Sequence, residues 1–536
     1  MNKRKLWFGL AALAAAWLFD FLFWGKSGGI SFAFWTLVLL AVCFLLAWHE
    51  GKKPSRWSLL LVVLIVGFSL ISAWRSELFT RFSSMLVTLA GFILLVTTFL
   101  NGHWIAYRMV DYVTEFSKTI WAGLSGGFKL LFLPNAESNP PAEPGQKSNP
   151  PAEPGQKSGL HRTGSILLGL VIALPIVLVL GLMLASADPV FGDVLKKFFS
   201  IEHLPEYIFR FFYIVIGAFV LVGLFLHAVL PEKAAEKPDT QQAWMKPFLG
   251  WTEGSIVLGA VNLLFIVFVV IQVRYLFGGT ANINEMGYTY ADYARRGFGE
   301  LVGVAVISLL LYLTLNTITK REAKGHQVGF SVLSVLLMAN VLVILASSLQ
   351  RLLLYEGAYG FSELRTYTHV FIYWLAALIL AVIVLEVLRK RGHFALALVI
   401  MIVGFTATLG LMNVDGFVTR QNVQSAQKGS ELDVAYLTNL STDAVPALVS
   451  AYLATDQPVD VHNALGAVLA CRVAVPRDPA AQHWQSFRFG QSYAEKLLTD
   501  NQSAWSRFKA VNDPVAGWQV VVDGKTYSCN FYTGMD

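Results

Sequence analysis

Residues 393–412, HFALALVIMIVGFTATLGLM, decide the fold class of this chain, because twenty consecutive positions carry no Asp, Glu, Lys or Arg. A helix of about 20 apolar residues is long enough to cross a hydrocarbon core of ~30 Å. Similar stretches recur toward the N-terminus, and the chain of 536 residues is 55% hydrophobic and only 14% charged. Soluble domains carry roughly 25% charged residues. We therefore expect an integral membrane protein.

Apolar stretches of this length predict eleven membrane-spanning helices. They lie at about 6–24, 30–48, 57–74, 82–100, 164–186, 207–230, 252–276, 297–318, 328–349, 366–388 and 393–412. The first follows MNKRK, as a secretory signal would, but it is longer than a signal core and no convincing cleavage site of small residues follows it. We interpret it as a span. The predicted fold is an all-α polytopic membrane protein with a small C-terminal domain of helices and a β-hairpin.

The distribution of Lys and Arg predicts the orientation. If the N-terminus is cytoplasmic, every short inner loop holds three basic residues, beginning with Lys3, Arg4 and Lys5. Short cytoplasmic loops carry such an excess. An odd number of spans then places residues 413–536 outside the cytoplasm. The net charge of +6 is thus mainly a topology signal, and we expect no nucleic-acid partner.

Composition divides the chain into four parts. The linker contains the tandem repeat NPPAEPGQKSNPPAEPGQKS, whose proline content favours an extended spacer. Before it lies a segment with helical spacing of apolar and charged residues, which predicts an amphipathic helix on the inner membrane surface. The predicted parts are a four-span region with that segment at 1–133, the linker at 134–161, a seven-span core at 162–412 and an extracytoplasmic domain at 413–536.

The predicted extracytoplasmic domain contains helical periodicity followed by WQVVVDGKTYSCNFY, in which Asp523 and Gly524 are the turn residues of a hairpin. Cys471 and Cys529 both lie in this domain, and an oxidising compartment would allow them to form a disulfide. Two unpaired buried thiols are the alternative. The cysteines alone leave both possibilities open.

Charged residues collect at the predicted outer ends of four spans. In YTYADYARRGFGELV, residues 288–302, Asp292, Arg296 and Glu300 are spaced four apart and share one helix face. The next outer segment, SSLQRLLLYEGAYGFSELRTYTH at 347–369, repeats the pattern of acid and base. Ionisable groups in membrane proteins usually face the protein interior. We therefore predict a polar pocket at this end.

The candidate ligand-binding residues of that pocket are Arg274, Asp292, Arg295, Arg296, Glu300, Arg351, Glu356, Glu363, Arg365 and His369. Planar guanidinium groups bind carboxylates and phosphates through paired hydrogen bonds, so the arginines favour an anionic ligand. The alternative is that these charges pair with each other and lock two loops onto the bundle. The sequence supports both interpretations equally.

Enzyme signatures are mostly absent. The chain has no H-E-x-x-H, no pair of C-x-x-C motifs, no G-x-S-x-G and no dinucleotide-binding glycine pattern. We expect no cofactor and no metal, and an enzyme is the less favoured class. An intramembrane transferase that uses Asp292, Glu300 or Glu356 as a base is a weaker alternative.

Four motifs carry a resemblance to a known family: ASADPVFGD at 185–193, YADYARRGFGEL at 290–301, LQRLLLYEGAYGFSELR at 349–365 and NVDGFVTRQNV at 413–423. In this order, over roughly residues 164–455, the chain resembles a bacterial multi-pass membrane family catalogued only as a domain of unknown function, the 4153/4173 group. The resemblance implies a bacterial cytoplasmic-membrane protein with its C-terminal domain outside. It implies no substrate, reaction or catalytic residue.

Two hypotheses on function follow. The leading one is an outward-facing, transporter- or flippase-like protein that binds an anionic envelope component, such as a lipid headgroup or a cell-wall precursor. The second is a membrane-anchored sensor or assembly scaffold whose C-terminal domain binds an envelope protein partner. Both include contact with membrane lipids.

Overall fold

A computed structural model describes most of the chain. The described residues are 3–132, 183–199, 204–230, 245–276, 297–474, 483–513 and 517–529, with the single positions 173, 177, 180 and 181. Most of the predicted span at 164–186 and all of the linker at 134–161 lie outside them. Asp292, Arg295 and Arg296 lie outside them as well.

The described residues contain ten helices that are long and apolar enough to span a membrane, and they match ten of the eleven predicted spans. The all-α polytopic fold class is thereby confirmed. These helices are α1 (Lys3–Phe23), α2 (Ile30–His49), α3 (Arg56–Trp74), α4 (Leu78–Thr98), α7 (Leu204–Val229), α8 (Trp251–Leu276), α9 (Phe298–Ile318), α10 (Lys324–Tyr359), α11 (Glu363–Val387) and α12 (Phe394–Met412).

Two further helices lie among the spans. Helix α5 (Met109–Phe132) occupies the segment predicted to be amphipathic, and α6 (Pro189–Phe199) follows Asp188. The Asp188 carboxylate accepts hydrogen bonds from the backbone N–H groups of Val190 and Phe191, at 2.8 and 3.3 Å. Such an acceptor satisfies donors that a helix start leaves unpaired, so Asp188 begins α6.

The packing of the helices forms two groups. Helices α1 and α5 pack along α7, and α3 packs against α4. Helix α10 packs against α8, α9 and α11, and α12 joins the two groups through α11 and α4. Each group has its own core of buried apolar side chains. Many large apolar side chains on the other helix faces are exposed, as lipid-facing side chains of a membrane protein are.

Helices α5 and α7 approach closely through glycine. A Cβ placed on Gly126 would lie 2.1 Å from the Cα of Gly223, so neither position has room for a side chain. Thr119 lies 3.4 Å from His227, about two turns from Gly126 on α5 and about one turn from Gly223 on α7. The two helices therefore run antiparallel and side by side over this length, and small residues permit the close contact. The position of α5 relative to the membrane surface stays a prediction.

Helix α10 is 36 residues long, whereas the sequence predicts a span that ends near residue 349 and a loop after it. The segment LQRLLLYE contains strong helix formers, and nothing in it breaks a helix before Gly360. Gly360 has φ 76° and donates its N–H to the carbonyl of Glu356 at 2.8 Å, a glycine-ended helix terminus. The predicted loop is thus mainly three additional helical turns.

Residues from 413 onward, called the tail below, fold onto one end of the bundle. The tail contains α13 (Val414–Gln427), α14 (Val434–Asn439), α15 (Val445–Tyr452), α16 (Val459–Ala474) and α17 (Phe489–Asp500), then β1 (Ala510–Asp513), β2 (Gly517–Val522) and β3 (Lys525–Ser528). The strands form an antiparallel sheet in the order β1-β2-β3. The predicted hairpin is β2–β3, and Asp523 and Gly524 both have positive φ in its turn, as a type I′ turn requires.

The tail has a hydrophobic core of its own, which also contains two residues of the bundle. Val370 of α11 and Leu409 of α12 are buried in the same cluster as Leu448 and Leu465 of the tail. A disulfide joins Cys471 of α16 to Cys529 after β3, and their Cα atoms lie 5.5 Å apart. The tail is therefore packed against the bundle, and its last strand is covalently tied to α16.

Candidate functional site

A row of polar side chains connects α8 with α10. Asn340 donates to Asn262 at 3.2 Å, and the amide oxygen of Gln272 accepts from Ser347 at 2.8 Å and from Arg351 at 3.1 Å. Hydrogen bonds between spans stabilise helix association where no water competes. The spacing of Asn340, Ser347 and Arg351 therefore serves contacts between helices, and Arg351 lies at the end of the row nearest the tail.

Arg351 is 8% exposed and lies against the start of α9. Gly297, the N-cap of α9, has φ 97°, and a Cβ on it would lie 2.6 Å from Arg351 Nη1. Only glycine combines this backbone conformation with room for the guanidinium. Arg351 thus connects α8, α9 and α10 and lies about one and a half turns before Glu356 on the same helix.

A cavity of about 520 Å³ lies where the end of α10 and the start of α11 meet the tail. Its membrane-side wall comes from residues 356–362 and Arg365, and its tail-side wall comes from Asn422, Ser425 and residues 430–433, 436 and 437. A cavity of this size is within the range for small-molecule sites. Of the predicted ligand-binding residues whose side chains the structure describes, Glu356 and Arg365 line it.

Glu356 is 2% exposed, although its carboxylate is a group that normally stays in water or is paired. His369 Nε2 lies 3.5 Å from Oε2 of Glu356, so the structure places these two predicted site residues side by side. No hydrogen-bond donor within the described residues reaches either carboxylate oxygen. A buried acceptor without a donor costs free energy, so this carboxylate is a place where a ligand, water or proton would be stabilised.

Arg365 is held from two sides. Its guanidinium lies 4.1 Å from the centre of the Tyr355 ring, a cation–π contact. Its Nη1 donates to the carbonyl oxygens of Tyr359 and Gly360 at the end of α10. Among the described residues, the side-chain hydrogen bonds of Arg365 are all donated by Nη1, and none is donated by Nε or Nη2. The Nε and Nη2 donors of a pre-oriented guanidinium therefore remain for a partner in the cavity.

Glu363 joins the bundle to the tail. Its backbone N–H donates to the hydroxyl of Tyr436 at 3.0 Å, and its carboxyl group lies near that of Asp415. Burial raises the pKa of Tyr436 above its ordinary value, which keeps the hydroxyl neutral. Tyr436 also lines the cavity.

Asp443 holds the loop between α3 and α4 onto the tail. Its Oδ2 accepts the backbone N–H groups of Ser76 and Glu77, at 2.8 and 3.2 Å. Arg75 in the same loop donates to the carbonyl oxygens of Gly410 and Leu411 at the end of α12, where a cation is favourable. Burial raises the pKa of Asp443 above its ordinary 3.8, against the effect of the two N–H donors and Arg75.

The loop between α1 and α2 makes a third contact with the tail. The backbone N–H of Ile30 donates to the carbonyl of Phe487 at 2.8 Å, and Arg488 Nε donates to the carbonyl of Gly28 at 3.1 Å. A Cβ on Gly29 would lie 2.5 Å from the backbone of Ser486. Three connecting segments of the bundle, after α1, α3 and α10, therefore hold the tail at one end.

Two other buried carboxylates in the bundle are fully paired. Asp20 of α1 accepts from Arg210 and from the Tyr213 hydroxyl of α7. At the end of α11 away from the cavity, Glu386 accepts from Tyr312 and Ser331, each at 2.7 Å, and from Arg391. Both carboxylates have several donors, so they support packing and offer nothing to a ligand.

Five predicted site residues remain, and the structure describes the side chain of one of them, Glu300, which does not line the cavity. Glu300 is exposed in the first turn of α9. Arg274 lies in the last turn of α8, where its side chain is outside the described residues, as are Asp292, Arg295 and Arg296. Among the described side chains, Arg351 thus lies in the polar row, and Glu356 and Arg365 line the cavity.

Sequence reasoning missed the contribution of the tail. Tyr436 and Asn422 line the cavity, and Asn422 accepts the N–H of Phe361 at 2.8 Å and donates to its carbonyl at 2.9 Å. Asp415 and Asn422 both belong to NVDGFVTRQNV, a motif that carries the family resemblance. This motif was the feature of the sequence that could have indicated that the tail forms one wall of the cavity.

The arrangement is suited to binding. Within the described ranges, no group of three or more His, Cys, Asp or Glu side chains is placed to hold a metal ion. The cavity offers one guanidinium, three acidic side chains and three aromatic side chains. The acidic residues are Glu356, Glu431 and Asp433, and the aromatic residues are Tyr359, Phe361 and Tyr436. These groups can orient a polar molecule between bundle and tail.

Comparison with known proteins identifies a family. The sequence profile of DUF4153, a domain of unknown function, matches residues 8–451. This range includes the first four spans, which lie before the motifs that suggested the resemblance. No curated protein and no solved structure matches the chain. Since the match covers more than four-fifths of the 536 residues, the chain belongs to the DUF4153 family of multi-pass membrane proteins.

Proposed function

We propose that this chain is an outward-facing, transporter- or flippase-like protein of the bacterial cytoplasmic membrane that binds an anionic envelope component in the cavity between bundle and tail. One observation carries the proposal: Arg365 and Glu356, predicted from sequence, line a single cavity whose second wall is the tail. A ligand there contacts both parts of the protein at once.

Arg365 would hold the anionic group of the ligand. Tyr355 and two carbonyl oxygens fix its guanidinium, so little side-chain entropy is lost when a ligand binds. A carboxylate or phosphate could accept two hydrogen bonds from Nε and Nη2 in the paired geometry that guanidinium favours.

The acidic residues restrict which anions fit. Glu356, Glu431 and Asp433 line the same cavity as Arg365, and they would repel a bare anion. A ligand that also carries hydroxyl or amine donors could satisfy these carboxylates. Lipid headgroups and cell-wall precursors have this combination of groups.

The extracytoplasmic orientation of the tail has independent support. The tail contains the Cys471–Cys529 disulfide, and such bonds persist in oxidising compartments. The bundle end that contacts the tail is the end predicted to be outside from the distribution of Lys and Arg. The cavity would then open on the envelope side.

A membrane-anchored sensor is the second candidate. The contacts of Asp443, Arg75 and Gly29 hold the tail next to the cavity, so a bound ligand could change the docking of the tail and its contact with an envelope partner. This candidate predicts a change in tail protection on ligand binding without any ligand movement across the membrane.

The experiment uses the full chain in nanodiscs of phosphatidylethanolamine with a fraction of phosphatidylglycerol, followed by native mass spectrometry of retained lipid. We compare wild type with Arg365→Gln and with Arg507→Gln, which removes the same charge from the exposed tail surface. Loss of charge-assisted hydrogen bonds worth ~1.5–3 kcal/mol lowers affinity by about 10- to 150-fold.

We expect Arg365→Gln to lose retained lipid and Arg507→Gln to keep it. Competition by soluble glycerol 3-phosphate distinguishes recognition of the phosphate group alone from recognition of the whole lipid. Equal retention of every envelope lipid by wild type and Arg365→Gln would refute the proposal.

A further inference from the structure

The tail carries exposed aromatic side chains in one short segment. Trp484, Phe487, Phe489 and Tyr493 are 56%, 38%, 40% and 57% exposed. All four lie within ten residues, and Phe489 and Tyr493 are one turn apart on the same face of α17. Exposed aromatic surface of this kind marks an interaction site.

These side chains lie at the ends of membrane-spanning helices. Phe489 stacks on Trp74, the last residue of α3, with 5.5 Å between ring centres. Trp484 contacts Phe21, near the end of α1, at 6.4 Å. The backbone contact of Phe487 with Ile30 places the same segment at the start of α2. The aromatic segment is therefore level with the boundary of the apolar bundle surface.

The aromatic surface continues a lipid-facing surface. Trp74 and Phe21 are themselves 55% and 42% exposed on spans, and Leu78 at the start of α4 is 70% exposed. Because α1, α3 and α4 span the membrane, their exposed side chains contact lipid. Trp484 contacts Phe21, and Phe489 contacts Trp74. The lipid layer that covers the side chains of the spans therefore extends to the aromatic side chains of the tail.

The chemistry of the side chains fits the headgroup region. Trp and Tyr combine an apolar ring with a polar N–H or O–H and are enriched at membrane–water interfaces. Amphipathic helices at a membrane surface lie in the interface plane with the apolar face at the acyl boundary, and α17 carries Phe489 and Tyr493 on one face. We propose that the surface formed by Trp484, Phe487, Phe489 and Tyr493 is immersed in the interfacial layer of the membrane that the bundle spans.

This contact fixes the tail relative to the bilayer as well as to the bundle. It is independent of the proposed ligand: the cavity residues come from α10, α11, α13 and α14, whereas the aromatic surface lies beside α1, α2 and α3. The other conceivable occupants are an envelope protein and a second copy of the chain, and both are outcomes of the test.

The test uses the full chain in vesicles of phosphatidylethanolamine and phosphatidylglycerol that contain no other protein. A polarity-sensitive fluorophore is attached to Trp484→Cys, to Tyr493→Cys and, as a control, to Val521→Cys. Val521 is 59% exposed on β2, a strand that packs against α16. Unlabelled Cys43 is buried, and labelled wild type gives the background.

We expect doxyl-labelled lipid to quench the fluorophore at 484 and at 493, with a blue shift of emission, and to leave the fluorophore at 521 unchanged. Tyr493→Cys leaves every ring contact of Trp484 in place, so its result does not depend on whether the other variant folds normally. Equal water exposure of all three positions would overturn the proposal. A blue shift without lipid quenching, which disappears on dilution of protein in the vesicle, would assign the surface to a second copy instead.

Discussion

Replacing Asp443 should release the α3–α4 loop from the tail. In Asp443→Ala, the buried N–H groups of Ser76 and Glu77 lose their acceptor. Hydrogen bonds to a charged group contribute ~1.5–3 kcal/mol each, so the two together contribute about 3–6 kcal/mol. Burial of the carboxylate, which raises the pKa of Asp443, offsets part of this stabilisation. We therefore use the lower limit, about 3 kcal/mol.

A loss of about 3 kcal/mol corresponds to a roughly 100-fold higher population of the open loop. Hydrogen exchange with mass spectrometry on the full chain in nanodiscs measures this population in the peptide that contains Ser76 and Glu77. Asp443→Asn retains one oxygen acceptor and should lie between wild type and Asp443→Ala. Asp456→Ala removes an exposed tail carboxylate and serves as the control.

The pH dependence has a defined sign. Because the pKa of Asp443 is raised in the folded protein, the folded state holds the proton more tightly than the unfolded state. The stability that this group contributes is complete below the ordinary pKa of 3.8 and declines as the pH rises through the folded value. Asp443→Asn should flatten this part of the profile. Unchanged exchange of Ser76 and Glu77 in Asp443→Ala, or an equal change in the control, would refute the reasoning.

Three further variants test other parts of the structure. Arg472→Met should destabilise the tail by about 3 kcal/mol or more in pulse proteolysis, because Arg472 donates to the buried carbonyls of Leu437, Leu440 and Ser441; an effect below 1 kcal/mol would contradict this. Reduction of the Cys471–Cys529 disulfide should cost about 4 kcal/mol, since it closes a loop with a sequence separation of 58, and the Cys471→Ala/Cys529→Ala variant should show that loss without reductant. Gly126→Leu should lower the free energy of unfolding by ~1–3 kcal/mol in thermal denaturation, because the larger side chain separates α5 from α7. Gly67→Leu, where a Cβ meets nothing within 4 Å, should leave it unchanged.

The spans were predictable because the signal is local. Each of the ten confirmed helices carries its own apolar stretch, and no distant residue is needed to recognise it. The end of α10 was not predicted, since Arg351 and Glu356 made an apolar helix look like a polar loop. Arg351 donates to Gln272, and Glu356 lies 3.5 Å from His369. These partners lie on neighbouring helices, and sequence spacing on α10 does not reveal them.

The candidate site was predictable in part for a similar reason. Arg365 and Glu356 attract notice as charges between two spans. Asp443 and Ser76, in contrast, are 367 positions apart, and each belongs to an ordinary short connection. Only the fold brings them together, so the tail-side wall and its attachment to the bundle could not be read from local pattern.

Helix α10 gives the cavity a mechanical connection to the membrane interior. Its 36 residues extend about 54 Å, well beyond a hydrocarbon core of ~30 Å. Helix α10 is one unbroken element from Lys324 to the cavity wall at Tyr359. A tilt of this helix would therefore be transmitted along its whole length. A tilt of about 5° around its far end would move the cavity wall by roughly 5 Å, the rise of one helical turn. Small rearrangements among α8, α9 and α11 would therefore change the width of the cavity directly.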